Sequence, residues 1–150
     1  MELILWRHAE AEDGTPDLER GLTAKGRKQA DKMASFLRAR LPEHTRILVS
    51  PAKRTQQTAL ALTKHYITDA ALGTAATPQN VLDAVGWPDA TGTVLVVGHQ
   101  PTLGQIAARL LSDSNAGFSV KKGAVWWLVR KPNEGDFQTS LKLVIAPESL

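Results

Sequence analysis

Four residues in this 150-residue chain combine reactive chemistry with a repeated setting: Arg7 and His8, Arg54, and His99. Arg7-His8 closes the apolar run Leu3-Ile4-Leu5-Trp6. Arg54 follows Arg46-Ile47-Leu48-Val49 and the dipeptide Ser50-Pro51. His99 comes one residue after Thr93-Val94-Leu95-Val96-Val97. Each stands where a short apolar run gives way to polar residues. Two guanidiniums and two imidazoles gathered at one place would bind a dianion, and phosphate is the obvious one because arginine holds it bidentately. Arg54 is expected in the first turn of a helix, where the dipole disfavours a cation. An anion held jointly by Arg54 and the helix start removes that conflict. A neutral imidazole, with an ordinary pKa of about 6.5, is available as a nucleophile at neutral pH and forms a phosphoramidate that water can hydrolyse.

Other phosphate chemistries lack their parts. There is no Gly-x-x-x-x-Gly-Lys-Ser/Thr loop, no Asp-x-Asp pair after a strand, and no cysteine of any kind. Acids that would join the histidines as metal ligands are too few, so no metal and no cofactor is expected. Histidine remains as the nucleophile.

The apolar runs are too short for a helical period and read as buried strands. In open α/β sheets, ligands bind at the carboxyl ends of the strands. Between the strands, Ala30, Met33, Ala34, Leu37 and Leu41 recur at helical spacing after Thr23 as N-cap, and Pro42 stops the pattern. Ser50-Pro51 reads as an N-cap followed by proline at the first helical position, with Ala59, Leu62 and Tyr66 on the buried face. Val81-Leu82 reads as a short strand. Thr93–Val97 is β-branched and uninterrupted, which suits a central strand. Pro101 then opens a helix carrying Leu103, Ile106, Ala107 and Leu110. Ala124–Val129 and Leu141–Ile145 read as a hairpin joined by Lys131–Asp136, an antiparallel edge on an otherwise parallel sheet. Trp126 and Trp127 are expected on opposite faces of their strand. His44 and His65 read as surface residues.

The length suits one domain over residues 1–150. No stretch approaches the roughly 20 apolar residues of a membrane span, and no basic leader precedes the first strand. With no cysteine to oxidise, a soluble protein of the reducing cytoplasm is expected. The net charge of +3 is unevenly spread: Glu10, Glu12, Asp13, Asp17 and Glu19 form an acidic stretch, and ten of the 18 Lys and Arg lie in residues 20–54. That basic region is a solvated helix face or a field that attracts a phosphorylated partner. Aromatic residues are only 5% of the chain and no nucleic-acid motif occurs, so nucleic acid is not an expected partner.

Arg7-His8-Ala9 after a strand, Leu22-Thr23 with Gly26, Ser50-Pro51 with Arg54 and Gln57-Thr58-Ala59, and Gly98-His99 after a later strand resemble the histidine phosphatase superfamily. The Arg-His-Ala form, the stretch Glu19-Arg20-Gly21-Leu22-Thr23 and the lack of a cap insertion look more like its small SixA-type phosphohistidine phosphatases. The resemblance implies a phosphoglycerate-mutase-like fold: a three-layer α/β/α sandwich around a mostly parallel sheet. It implies His8 as the nucleophile, with Arg7, Arg54 and His99 forming the phosphate pocket. Arg20 is a candidate substrate contact. Ser50 is either a phosphate contact or a helix cap.

Superfamily members acting on phosphomonoesters supply a carboxylic acid to protonate the leaving oxygen. The candidates here are Asp83, Glu10 and Glu12. A phosphoramidate substrate tolerates a missing acid, because its P–N bond is labile. The expected substrate is therefore a protein-borne phosphohistidine. A small phosphomonoester substrate, or a phosphoprotein-binding module without turnover, are the alternatives.

Overall fold

Two apolar runs separated by most of the chain, Glu2–Arg7 (β1) and Thr93–Gly98 (β4), lie side by side as the parallel centre of a six-stranded sheet. The computed structural model describes residues 1–150, apart from the side chain of Asn133. Arg46–Val49 (β2) pairs parallel to the other side of β4, and the two-residue Ile67–Thr68 (β3) closes that edge. Val125–Asn133 (β5) runs antiparallel to β1 and carries Asp136–Ile145 (β6) at the opposite edge. The order is β3-β2-β4-β1-β5-β6, so the expected parallel sheet with an antiparallel edge is present.

Alternation along the strands divides the core in two. Leu3, Leu5, Val94 and Val96 face one side, and Ile4, Trp6, Leu95 and Val97 face the other. Ala24–Arg38 (α1) and Lys53–Leu60 (α2) cover the second face through Met33, Ala34, Leu37 and Ala59. Pro78–Val85 (α3) and Thr102–Ser112 (α4) cover the first through Val81, Leu82, Val85, Leu103 and Ile106. This is the three-layer α/β/α sandwich expected. Central strands buried on both faces show no polar alternation, which is why they read as continuous apolar runs.

Some local readings are corrected. Val81-Leu82 belongs to α3, not to a strand. Thr77 and Asn80 form a capping box, Pro78 occupies the first turn, and Gly86 ends the helix in the left-handed conformation. The helix after Ser50-Pro51 begins only at Lys53, with Ala52 in the capping position, and stops at Leu60. Leu62 and Tyr66 therefore lie beyond it, the Tyr66 hydroxyl donating to Gln56. The hairpin connection is tighter than Lys131–Asp136: the strands run on to a turn at Glu134-Gly135, both at positive φ. Trp127 is buried, while Trp126 is half-buried and stacks on Phe118 with ring centroids 5.3 Å apart. His44 and His65 are exposed. Among the described residues, no helix is long and apolar enough to cross a membrane.

Candidate active site

The sheet register delivers the predicted residues to one rim. Arg7, the last residue of β1, pairs with Gly98, the last of β4, while Val49 at the end of β2 pairs with Val97. The ladder continues one step further: the His8 amide donates to Gly98 O (3.2 Å) and the Ser50 amide to Val97 O (3.1 Å). Arg54, in the first turn of α2, completes the set. Arg7, His8, Arg20, Arg54 and His99 line one cleft of about 270 Å³, together with Ala11, Asp13, Thr74, Gln100 and Lys122.

His8 is 8% exposed and its Nδ1 lies 2.7 Å from the carbonyl oxygen of Ala9. A carbonyl can only accept, so Nδ1 carries the proton and Nε2 keeps its lone pair. Burial pushes the His8 pKa down to about 4; the contact with Ala9 opposes this, and Arg54 and Arg7 add to it by repulsion. His8 is thus a neutral base at physiological pH. His99, 4% exposed, is driven lower still, to about 3, by burial first and then by His8 and Arg54. The two imidazoles lie with ring centroids 5.4 Å apart.

Among the described residues, three buried nitrogens in this cluster have no hydrogen-bond partner: Arg7 Nε, Arg54 Nε and His99 Nδ1. The remaining guanidinium contacts anchor the side chains elsewhere. Arg7 Nη1 donates to Val120 O (2.9 Å). Arg54 Nη1 and Nη2 donate to the backbone oxygen and Oδ2 of Asp17 (2.9 and 3.1 Å). Unpaired buried donors are costly. A tetrahedral oxyanion offers acceptors in several directions and is a chemical match for such a set.

The general-acid candidates fare differently. Asp83 accepts from Gln79 and lines a separate cleft of about 680 Å³ with Arg46 and Thr93, which begin β2 and β4. It therefore stands at the amino end of the parallel strands, opposite the rim, because α3 runs back to that end before β4 begins. Glu10 accepts from the Thr23 hydroxyl (2.9 Å) and pairs with Lys122 (4.0 Å). Neither Glu10 nor Glu12 lines the cleft. Arg20 does line it, with its guanidinium bound to Asp17 Oδ1 (2.9 Å) and Glu12 O (2.7 Å). Ser50 is not the cap of α2, a position held by Ala52, and it does not line the cleft: its hydroxyl lies 2.7 Å from His99 Nε2 and accepts from the Ala52 amide at 3.3 Å.

Two contributors escaped the sequence reading. Asp17 grips both Arg54 and Arg20, which holds its carboxyl below the usual range, Arg20 being the larger cause. Thr58 accepts from the Ala9 amide (3.1 Å) and donates to Arg54 O (2.8 Å), tying the chain after β1 to the helix that carries Arg54. The motif Gln57-Thr58-Ala59 marked Thr58 without giving its role. Nothing in the sequence distinguished Asp17 from its acidic neighbours.

Comparison with known proteins bears on the family and the fold. The sequence profile of the histidine phosphatase superfamily (branch 1) matches residues 3–73. An uncharacterized protein of Mycobacterium tuberculosis, Rv1276c, is 36% identical over 122 residues, which is 76% of this chain and 75% of that protein. The structure of the protein histidine phosphatase SixA complexed with tungstate superposes with a TM-score of 0.83 at 22% identity, covering 99% of each chain. The SixA structure from Nakamurella multipartitia gives 0.81 at 26%, covering 97% of this chain and 95% of that one. The chain is therefore a phosphatase of the histidine phosphatase superfamily, branch 1, with the fold of its SixA-type members.

Proposed function

We propose that the chain removes phosphate from phosphohistidine carried by a protein, through a covalent phosphohistidine on His8. The observation that carries the reading is the His8 ring itself: Nδ1–H is fixed on Ala9 O, leaving the Nε2 lone pair, in a cluster with three unpartnered buried nitrogens. In the first step Nε2 attacks phosphorus and the P–N bond to the substrate imidazole breaks. The electron pair leaves with that imidazole, which takes a proton from water. In the second step water attacks phosphorus and gives up a proton to the hydroxide left by the first step, the pair of the new P–N bond returns to Nε2, and phosphate departs. Arg7 and Arg54 neutralise the phosphoryl charge, and together with His99 they hydrogen-bond the phosphoryl oxygens as charge shifts.

The substrate class is supported by what surrounds the cleft. Asp17, bound to two arginines, stays ionised and has no proton to give. Asp83 stands at the other end of the strands, and Glu10 is engaged by Thr23 and Lys122. A labile P–N bond needs no strong acid at the leaving group, whereas an alkoxide does. The SixA neighbour is itself named a protein histidine phosphatase. Asp13, which lines the cleft, is the observation favouring a second reading, hydrolysis of small phosphomonoesters.

Trapping with a labelled substrate tests the mechanism. Acid-labile, alkali-stable phosphate is expected on the wild-type protein and none on His8→Ala; label surviving that substitution removes His8 as nucleophile. Hydrolysis of a phosphohistidine-bearing protein, compared with simple phosphate esters, tests the substrate. Clear preference for an ester, abolished in Asp13→Asn, would establish the second reading instead.

A further inference from the structure

Ser50 is fully buried between β2 and α2, and among the described residues its hydroxyl has two partners. The Ala52 amide, 3.3 Å away, can only donate and so occupies a lone pair of Oγ. The hydroxyl proton then has one acceptor in reach, His99 Nε2 at 2.7 Å. A neutral imidazole carries one proton, and with Nε2 accepting, that proton sits on Nδ1. Nδ1 is the buried nitrogen of His99 left without a protein partner, and His99 lines the cleft. The opposite tautomer would strand the Ser50 hydroxyl proton in a dry position and turn a lone pair toward the phosphoryl oxygens, both unfavourable.

We infer that Ser50 is a positioning residue: its hydroxyl donates to His99 Nε2 and fixes that imidazole as the Nδ1–H tautomer, a neutral donor to a phosphoryl oxygen. The two histidines then share one tautomer and present opposite functions. The Ala9 carbonyl takes the Nδ1 proton of His8 and frees its Nε2 lone pair, while Ser50 covers the Nε2 lone pair of His99 and frees its Nδ1–H. Two ordinary neighbours thereby decide which ring attacks and which ring holds the anion. A serine at this strand end is needed for its proton, not for its ability to start a helix, since α2 begins three residues later at Lys53.

The inference rests on the proposed site insofar as His99 faces the phosphoryl group, but its main test does not depend on turnover. In ¹⁵N-resolved NMR of the full chain at neutral pH, the His99 ring is expected as the Nδ1–H form; Nε2–H in the wild-type protein overturns the proposal. Ser50→Ala is expected to lose that bias and to weaken orthovanadate binding about fivefold to tenfold, the worth of one ordinary hydrogen bond. Ser50→Thr, which keeps the hydroxyl, is expected to retain both. A Ser50→Ala protein that binds orthovanadate as tightly as wild type and keeps the Nδ1–H form also overturns it. If that variant does not fold, the wild-type tautomer alone decides. Failure to hydrolyse phosphohistidine would count against the proposed substrate and leave these two readouts standing.

Discussion

Asp17 holds Arg54 by two contacts at once, its backbone oxygen on Nη1 at 2.9 Å and its carboxylate on Nη2 at 3.1 Å, while its other carboxylate oxygen takes Arg20. Each terminal nitrogen of Arg54 thus makes one bond to Asp17, and Nε is the one left without a partner among the described residues. One acidic residue, at the start of an exposed single-turn 3-10 helix, Asp17–Glu19, holds a buried guanidinium.

Asp17→Ala is expected to act on binding more than on folding. Its side chain is 55% exposed, so the ion pairs contribute at most about 1 kcal/mol to stability. Freed from Asp17, Arg54 must be ordered by the ligand, and orthovanadate affinity and kcat/KM should fall, with Asp17→Asn intermediate because it retains one oxygen. Equilibrium denaturation alongside orthovanadate titration separates the effects; a large loss of stability with unchanged affinity would contradict this role.

The pH dependence follows from the lowered histidines. Unfolded, both imidazoles take up protons below about pH 6.5, whereas folded His8 and His99 do so only near about 4 and about 3. Between those limits the unfolded chain binds more protons, so stability falls as pH drops through that window and levels off below it. Asp17 acts in the same direction at the acid end, because its contribution is lost as pH falls through its lowered pKa. Denaturant midpoints across pH check the sign. For activity, kcat/KM with a simple ester, corrected for the ester's own ionisation, should keep its acid limb near pH 4, where free His8 protonates. A limb near the ordinary histidine value would mean that His8 is not the titrating nucleophile.

Thr58→Val should lower both stability and turnover. Thr58 and Ala9 are fully buried, and the substitution removes the only hydroxyl placed to accept the Ala9 amide. An orphaned buried donor costs about 1–3 kcal/mol. Because Ala9 O also holds His8 Nδ1, slack in this residue reaches the His8 ring directly. Thr58→Ser, which restores the hydroxyl, should recover most of the activity; equal losses in both variants would point to packing alone.

Gly26→Ala should be costly for a helix position where alanine is ordinarily better than glycine. A Cβ there would stand 2.0 Å from the carbonyl oxygen of Glu10, a backbone atom that cannot swing aside. The loop after His8 must move away, costing about 1–3 kcal/mol in an overpacked site. A lower denaturation midpoint together with weaker orthovanadate binding is the expected pair of results.

What the sequence disclosed follows what is local. Arg7, His8 and His99 were legible because central strands form unbroken apolar runs whose ends are sharp. The hairpin edge was legible from two strand-like segments flanking a run of turn-forming residues, although its turn was drawn too wide. Val81-Leu82 was misread because two apolar residues fit either period; the deciding signal, Thr77-Pro78 with Asn80 and Gly86, lay in the flanks. Asp83 was misassigned because closeness in sequence to the expected acid position says nothing about which end of the sheet a helix residue reaches. The grip of Asp17 on Arg54 spans 37 residues, with α1 and β2 between them, and carries no periodicity at all.

The level ending of β1, β4 and β2 has a consequence for how the protein comes into being. Arg7, His8, Ser50 and His99 meet only because Arg7 stands opposite Gly98 and Val49 opposite Val97. Since strand side chains alternate, a slip of one residue in β1 would carry Arg7 and His8 to each other's faces and leave nothing in place. A partly assembled sheet therefore has no weak version of the site, and folding intermediates should be catalytically silent. An oxyanion held across those strands binds the finished register alone and raises the melting temperature by mass action, a ligand-borne report that synthesis has ended in the right alignment.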